Sequence, residues 1–309
     1  NNPFLDITRG GVNVRTTSFS QEFRYDGRAV EVGFLPGEVV FNGGLSYGYN
    51  EFFGSDFAVL GPEFLVTDDV QESYSIGVYG DAAWRPVPQL ELTGGLRYSW
   101  DHIESRDVTQ VTSQTGTPIF LQCFPRIDGE ATFGRVVPRA AISYDWSDDL
   151  TTFAAYTVGY RPGGTSEIGT AAANGITNNL VLFDEEITRS AEIGVRSRFF
   201  NDNMRLTASL YYTQIENYQV PVSQQDLGSS IPPQIALINL GDAESYGAEF
   251  GIEATPTTGL LLQGSFGVNF TEITDFRPPR IRDSAGTFLE NVDLTGQDLP
   301  DAPQFTFTF

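Results

Sequence analysis

Six charged side chains fall in the polar set of strands that otherwise alternate polar with apolar residues: Arg97, Arg139, Arg161, Glu192, Arg196 and Arg198. Side chains two apart on a strand share a face, so these charges belong to one side of a sheet. Guanidinium groups grip carboxylate or phosphate oxygens in a planar fork, and a glutamate holds a basic group. Such a face could line a solute path or seat another domain. The plainer alternative is a ladder of cross-strand charge pairs along a wall. The acidic runs Asp68-Asp69 and Asp184-Glu185-Glu186 offer oxygen ligands of the kind Ca²⁺ takes, and equally fit solvated loop charges. Phe52, Phe53, Phe57 and Phe64 sit in what looks like a loop, where they contact either a ligand or neighbouring loops.

Other chemistries find few residues. The chain has one His (His102), one Cys (Cys123) and one Met (Met204). A Ser-His-Asp triad would have to use His102, and no Gly-x-Ser-x-Gly elbow accompanies it, so no enzyme is expected. There is no metal-ligand cluster, no intrachain disulfide and no reason to expect a cofactor, and Cys123 looks incidental. The net charge of -22 over 309 residues argues against a nucleic-acid partner. All eighteen basic residues are Arg, for which composition offers no physical reason.

The elements that must position those charges are strands. Tyr74, Ile76, Val78, Gly80, Ala82 and Trp84 interleave with Ser75, Gly77, Tyr79, Asp81, Ala83 and Arg85. After a Pro86-Val87-Pro88-Gln89 turn the pattern resumes in Leu90, Leu92, Gly94, Leu96, Tyr98 and Trp100. Three further hairpins repeat it, near 140–160, 191–212 and 246–270. Across these eight stretches the apolar set carries no charge, and aromatic residues gather at its ends. A membrane barrel needs an uncharged outward face, interfacial aromatic girdles and a polar lumen, whereas a soluble barrel this large would fill its interior with apolar side chains. From Tyr74 to Trp84 is ten residues, which at about 3.3 Å per residue and a tilt of about 40° spans roughly 25 Å, the height of the apolar band. No run of eighteen apolar residues exists, so helical spans are excluded.

Strands are expected at about 17–25, 38–50, 72–84, 90–104, 132–146, 150–161, 187–200, 204–218, 243–255 and 259–273, with an eleventh starting near 303. Tight turns at 85–89, 147–149, 201–203 and 255–259 alternate with long loops at 51–71, 105–131, 162–186, 219–242 and 274–302. Short turns on one side and long loops on the other suit a bacterial outer-membrane barrel, turns periplasmic and loops extracellular. With no secretory signal and no initiator Met, the first residue is not expected to be the first of the gene product, and both ends look cut.

Particular segments then point further. Val158-Gly159-Tyr160-Arg161-Pro162-Gly163-Gly164, Phe183-Asp184-Glu185-Glu186 and Ser190-Ala191-Glu192-Ile193-Gly194-Val195-Arg196-Ser197 follow in order. They are succeeded by Ala208 to Gln219, by Asn239-Leu240-Gly241-Asp242-Ala243-Glu244-Ser245-Tyr246-Gly247-Ala248-Glu249 and by Gly296 to Pro303. Together with Ser20 to Arg24 and Gly94 to Ser99, this succession resembles the barrel of TonB-dependent outer-membrane receptors over nearly the whole chain.

The resemblance implies a fold class: all-β, a transmembrane antiparallel β-barrel, here a partial segment of about 10–11 strands from a 22-stranded barrel. It also implies one partial domain spanning 1–309 without the family's plug. The implied function is energy-dependent uptake of a scarce, bulky nutrient such as a ferric siderophore, cobalamin or a glycan. Haem is disfavoured by the single His. The implied partners are outer-membrane lipid, a small-molecule or oligomeric nutrient, and the TonB energy-coupling protein acting through the missing plug region. A passive porin is the alternative, and the first and last strands are expected to remain unpaired edges.

Overall fold

The computed structural model describes residues 7–29, 33, 35–60, 63–113, 127–172, 175–223, 235–277 and 293–309. Its main element is an eleven-stranded antiparallel sheet. In order across the sheet it comprises β1 (Ile7–Ala29), β2 (Glu38–Leu60), β3 (Glu63–Val87), β4 (Leu90–Ser113), β5 (Ile127–Ser147), β6 (Leu150–Arg161), β9 (Glu186–Phe199), β10 (Met204–Glu216), β13 (Gly241–Thr257), β14 (Leu260–Phe276) and β15 (Phe305–Thr308). Two small hairpins stand apart from it, β7 (Gly164–Ala172) with β8 (Gly175–Phe183) and β11 (Gln219–Ser223) with β12 (Ile235–Asn239). The eleven expected strands are all present, and β1 and β15 are the two edges of an open sheet.

Cross-strand register puts the apolar sets on one common face. Val78 lies between Leu45 and Tyr98, and Leu210 between Ile193 and Ala248. These side chains point away from any protein core: Leu96 is 59 % exposed, Ile193 57 % and Leu210 56 %. Half-exposed Leu, Ile, Val, Phe and Tyr side chains across the rows amount to a continuous apolar surface far larger than a soluble monomer shows, and lipid is the solvent that suits it. Aromatic residues close both margins. Tyr144 and Trp146 meet edge-on at 4.8 Å near the turns, while Tyr49 and Tyr74 (5.1 Å) and Tyr246 and Phe270 (5.6 Å) meet near the opposite end.

Past the second aromatic row the outward face changes character. Glu51, Glu72, Glu104 and Glu130 are successive cross-strand neighbours. Their repulsion is eased by Arg15, 3.5 Å from Glu51, and by Arg106, 3.1 Å from Glu104. The outward face is thus uncharged over the quoted stretches and charged beyond them, which marks where lipid contact ends.

The long connections differ from expectation. Residues 51–71, expected as a loop, are mostly strand: β2 and β3 stay paired from Glu38↔Arg85 to Leu60↔Glu63. β3 has 25 residues, about 80 Å, more than twice what the apolar band needs. Residues 105–113 and 127–131 are likewise strand, and 162–186 and 219–242 hold the two hairpins. Two-residue turns at 88–89, 148–149 and 258–259 and the turn at 200–203 agree with expectation. Asn201 and Asp202 there take left-handed φ of 55° and 66°, which short polar side chains tolerate.

Candidate functional site

The face opposite the apolar one carries all six charges singled out above. Register settles this: Arg97 is opposite Tyr79, Arg139 opposite Thr157, Arg161 opposite Glu186, Glu192 opposite Ala155, Arg196 opposite Thr151, and Arg198 opposite Arg205. None of these rows contains a member of the outward set. Tyr79, Phe153 and Tyr211 are among the large aromatic residues of this inner face, with Phe52 and Phe133 in rows nearer its far end.

Glycines shape it. Asp81, Gly95 and Arg139 occupy one row of β3, β4 and β5. Because Gly95 has no side chain, the Asp81 carboxylate and the Arg139 guanidinium meet directly above it. Tyr79 lies over Gly44, where a Cβ would come within 2.7 Å of its ring carbon Cζ. Phe153 lies over Gly194 and Tyr211 over Gly247 in the same way. Long side chains therefore run along the wall rather than across the interior, and the lumen side stays open.

The charges then sort into two groups. Arg139 is bound to Asp81, and Arg198 lies 3.1 Å from Asp202 and 3.8 Å from Asp149. Those two belong to wall pairs and turn stitching. Arg196 instead stacks on Phe153, its guanidinium carbon 4.6 Å from the ring centre. Arg97 stacks on Tyr79 at 5.9 Å and donates to the Ser99 and Ser46 hydroxyls at 3.0 and 3.3 Å. Glu192, Arg196 and Glu249 line one cleft of about 410 Å³ with Thr207, Ser209 and Gly251.

The far end of the inner face is covered. β11 and β12 fold inward so that Val220, Ile238 and Leu240 pack with Ala243, Ile273 and Leu299, all at most 9 % exposed. Ile215, Tyr218, Phe276 and Leu294 add to this core. Ile215, Ala243 and Ile273 share a row, one residue out of phase with the outward set, so the core lies on the inner side. The β7–β8 hairpin leaves the sheet where the β5–β6 ladder stops, next to Pro138, which has no N–H to contribute. It touches the inner wall through Thr165 and Ser105 and touches β12 through Ser166, whose hydroxyl accepts the Leu237 N–H at 2.9 Å.

A polar knot ties the cap to the wall. Gln219 is 3 % exposed; its amide donates to the Pro162 and Asp184 carbonyls, each at 3.0 Å, and its N–H to Glu186 at 2.7 Å. The Asn239 amide donates to the Asp184 and Asn217 carbonyls at 3.0 and 2.8 Å, and accepts from the Asp184 N–H at 2.5 Å. Asn217 N–H donates to Asp242 at 3.0 Å, and Arg277 holds both Asp242 and Asp275. Gly241 sits at φ +130°, with the Asp275 carbonyl where a Cβ would stand, so only glycine fits. Burial, then the Glu186 and Asp301 carboxylates, push the Tyr218 hydroxyl above its ordinary pKa, so it stays protonated.

Several expectations are corrected here. Asp184-Glu185-Glu186 is neither a free acidic run nor a ligand set. Glu185 pairs with Arg135, Glu186 takes the Gln219 N–H, and Asp184 contributes its backbone. Asp68 and Asp69 are adjacent on β3, so their side chains point to opposite faces and cannot share one ion. Phe52, Phe53, Phe57 and Phe64 all lie on strands rather than loops; Phe52 and Phe53 fall on opposite faces, Arg15 stacking over Phe53 at 5.8 Å. The side chains of Phe57 and Phe64, and all of Cys123, lie outside the described residues. The knot residues Gln219, Asn239 and Arg277 carry no sequence pattern of their own, although two stand inside segments quoted for the family resemblance.

Comparison with known proteins agrees with this geometry. A family model described as TonB dependent receptor-like, beta-barrel, matches residues 2–309. The ferric-pyoverdine receptor PbuA of a Pseudomonas strain is 24 % identical over 200 residues, which is 64 % of this chain and 21 % of that protein. The ferric yersiniabactin uptake receptor FyuA from Yersinia pestis superposes with a TM-score of 0.69 at 18 % identity, over 96 % of this chain and 40 % of that one. The siderophore receptor PiuA from Acinetobacter baumannii gives 0.66 at 17 % identity, over 96 % and 43 % respectively. The chain thus spans less than half the length of each of these relatives.

Proposed function

We propose, from the premise that this chain belongs to the TonB-dependent receptor-like β-barrel family, that it supplies wall and cap of an outer-membrane receptor that imports a ferric siderophore. The observation that carries this reading is the division of the sheet into an uncharged outward face and an inner face whose far end is closed by an inward-folded cap. A porin has no use for such closure, and family membership also counts against free passage. The siderophore class comes from relatives whose names specify ferric-pyoverdine and ferric yersiniabactin. No catalytic role is assigned.

In this reading the membrane is the bacterial outer membrane, the short turns face the periplasm, and the cap faces outward to the medium. Glu192, Arg196 and Glu249 line one cleft of the inner wall and have no ion-pair partner among the described residues, as suits contact with a further domain seated in the lumen. Residues 1–309 form one part of a barrel, closed by strands beyond β1 and β15, and energy arrives through TonB acting on that inner domain.

The test is iron uptake by cells carrying or lacking the full-length protein, under iron limitation, with a panel of purified ⁵⁵Fe-siderophores. TonB-dependent uptake of one of them supports the proposal. Unimpaired growth of the deletion strain on the whole panel, with rapid swelling of protein-loaded liposomes in small sugars, overturns it in favour of a porin.

A further inference from the structure

The turn between β9 and β10 differs from the other short turns of the sheet. Those at 88–89, 148–149 and 258–259 take two residues each, and their tips are Pro88-Gln89, Asp148-Asp149 and Thr258-Gly259. Residues 200–203 form a longer turn, and three in succession are left-handed: Phe200, Asn201 and Asp202 have φ of 54°, 55° and 66°. Among the described residues five non-glycine residues take a left-handed φ, and the four besides Phe200 are Asn or Asp, whose short polar groups bond locally. For a bulky aromatic that conformation costs about five- to thirtyfold in the folding equilibrium. The fold therefore holds this ring where it is against its own backbone preference.

The frame around the ring is polar and stitched on both sides. Arg198 reaches Asp202 at 3.1 Å and, in the β5–β6 turn, Asp149 at 3.8 Å, and its N–H donates to the Asp149 carbonyl at 2.9 Å. On the other side the Thr255 N–H of β13 donates to the Asn203 carbonyl at 2.7 Å, and within the turn the Asn203 N–H donates to the Phe200 carbonyl at 3.3 Å. A turn fixed to both neighbours does not unwind to relieve one residue. Yet the ring gains little burial in return: Phe200 remains 75 % exposed, more than Trp146 at 65 %.

What adjoins it is the apolar face. Phe199 closes the outward set of β9 and is opposite Met204, which is opposite Ala254, so the last cross-strand row before the turn is apolar throughout. Leu260 and Leu262 on β14, both well exposed, continue the same margin. Phe200 follows Phe199 directly, with no polar residue between.

We infer that Phe200 is a membrane anchor: the β9–β10 turn is wound left-handed so that its ring projects past the strand end into the phospholipid leaflet on the turn side, at the boundary between headgroups and acyl chains. An aromatic ring placed there is removed from water by lipid instead of by the chain, and a rigid turn makes it a fixed stop for the depth of the barrel. The anchor depends on the lipid face alone, whatever crosses the barrel.

The test uses the full-length protein folded into phosphatidylethanolamine–phosphatidylglycerol vesicles and unfolded in urea, with two substitutions that leave comparable backbone strain. Phe200→Leu keeps an apolar side chain and should change the folding equilibrium by less than about fourfold, the worth of one methylene. Phe200→Gln puts an amide at the boundary and should lower it by about tenfold or more, as returning a large apolar side chain to water implies. Equal effects of the two overturn the inference, and so does a gain in stability with Phe200→Gln. Depth is read separately. In a Cys123→Ser background, an NBD fluorophore on Phe200→Cys should be quenched by lipids carrying a nitroxide high on the acyl chain more strongly than the same fluorophore on Asp202→Cys. Equal quenching at the two positions would place the ring in water, open to a soluble protein partner, and overturns the assignment to lipid.

Discussion

Two regions bring the same kinds of apolar residue together and do opposite things with them. On the outward face, Ile193 and Leu210 stay more than half exposed, touching only neighbours in the sheet. Under the cap, Ile238 and Ile273 are 2 % exposed. The outward face relies on lipid to remove its surface from water, whereas the cap stands clear of the membrane and must build a small core of its own. Apolar content alone therefore says little about what an element is for; the solvent it meets decides.

The comparison can be broken by making like substitutions in both regions. Ile238→Ala should cost about 2–5 kcal/mol of cap stability, the usual loss for a buried large-to-small change. It should appear as faster hydrogen exchange in β11 and β12 with the main sheet unchanged, while Ile193→Ala in the same detergent should leave exchange in β9 nearly as it was. Equal effects would mean that the two regions are not differently solvated. Leu210→Arg should cost about 2–4 kcal/mol of folding free energy in lipid vesicles, since it places a charge toward the bilayer interior. Its neighbour Ser209→Arg, pointing inward, should cost far less, and a reversed order would invert the assignment of faces.

Smaller effects sharpen the picture. Gln219→Ala leaves the Pro162 and Asp184 carbonyls without their amide donor and should cost the cap about 1–3 kcal/mol, again read by exchange in β11 and β12. Asp81→Ala breaks the pair above Gly95 but leaves Arg139 half exposed, so it should cost under about 1 kcal/mol in a denaturant titration. A much larger loss would make the wall pairs, rather than lipid contact, the main source of sheet stability.

The eleven main strands were legible because a membrane imposes an uncharged face, and that constraint survives in the sequence as period-two alternation. It lapses where the strands leave the membrane: Glu51, Glu72 and Glu104 occupy outward positions there, so β2, β3 and β4 cease to alternate and resemble loop. The hairpins 164–183 and 219–239 hid for a different reason. Their anchors are main-chain hydrogen bonds made by Gln219 and Asn239, which leave no periodic trace. The six inner-face charges were found from parity alone. Their division into paired Arg139 and Arg198 and ring-stacked Arg97 and Arg196 needed cross-strand register, because Asp81 reaches Arg139 only across the gap left by Gly95.

The central claim is that one face of the sheet meets lipid and the other meets water, and a spin-label scan of β10 tests it most directly. In a Cys123→Ser background of the full-length protein in vesicles, single cysteines from Thr207 to Thr213 would be labelled and their collision rates with oxygen and with a water-soluble nickel chelate compared. The account predicts strict alternation, with labels at 208, 210 and 212 favouring oxygen and those at 207, 209, 211 and 213 favouring the chelate. Uniform accessibility along β10, or alternation in the opposite phase, would contradict it.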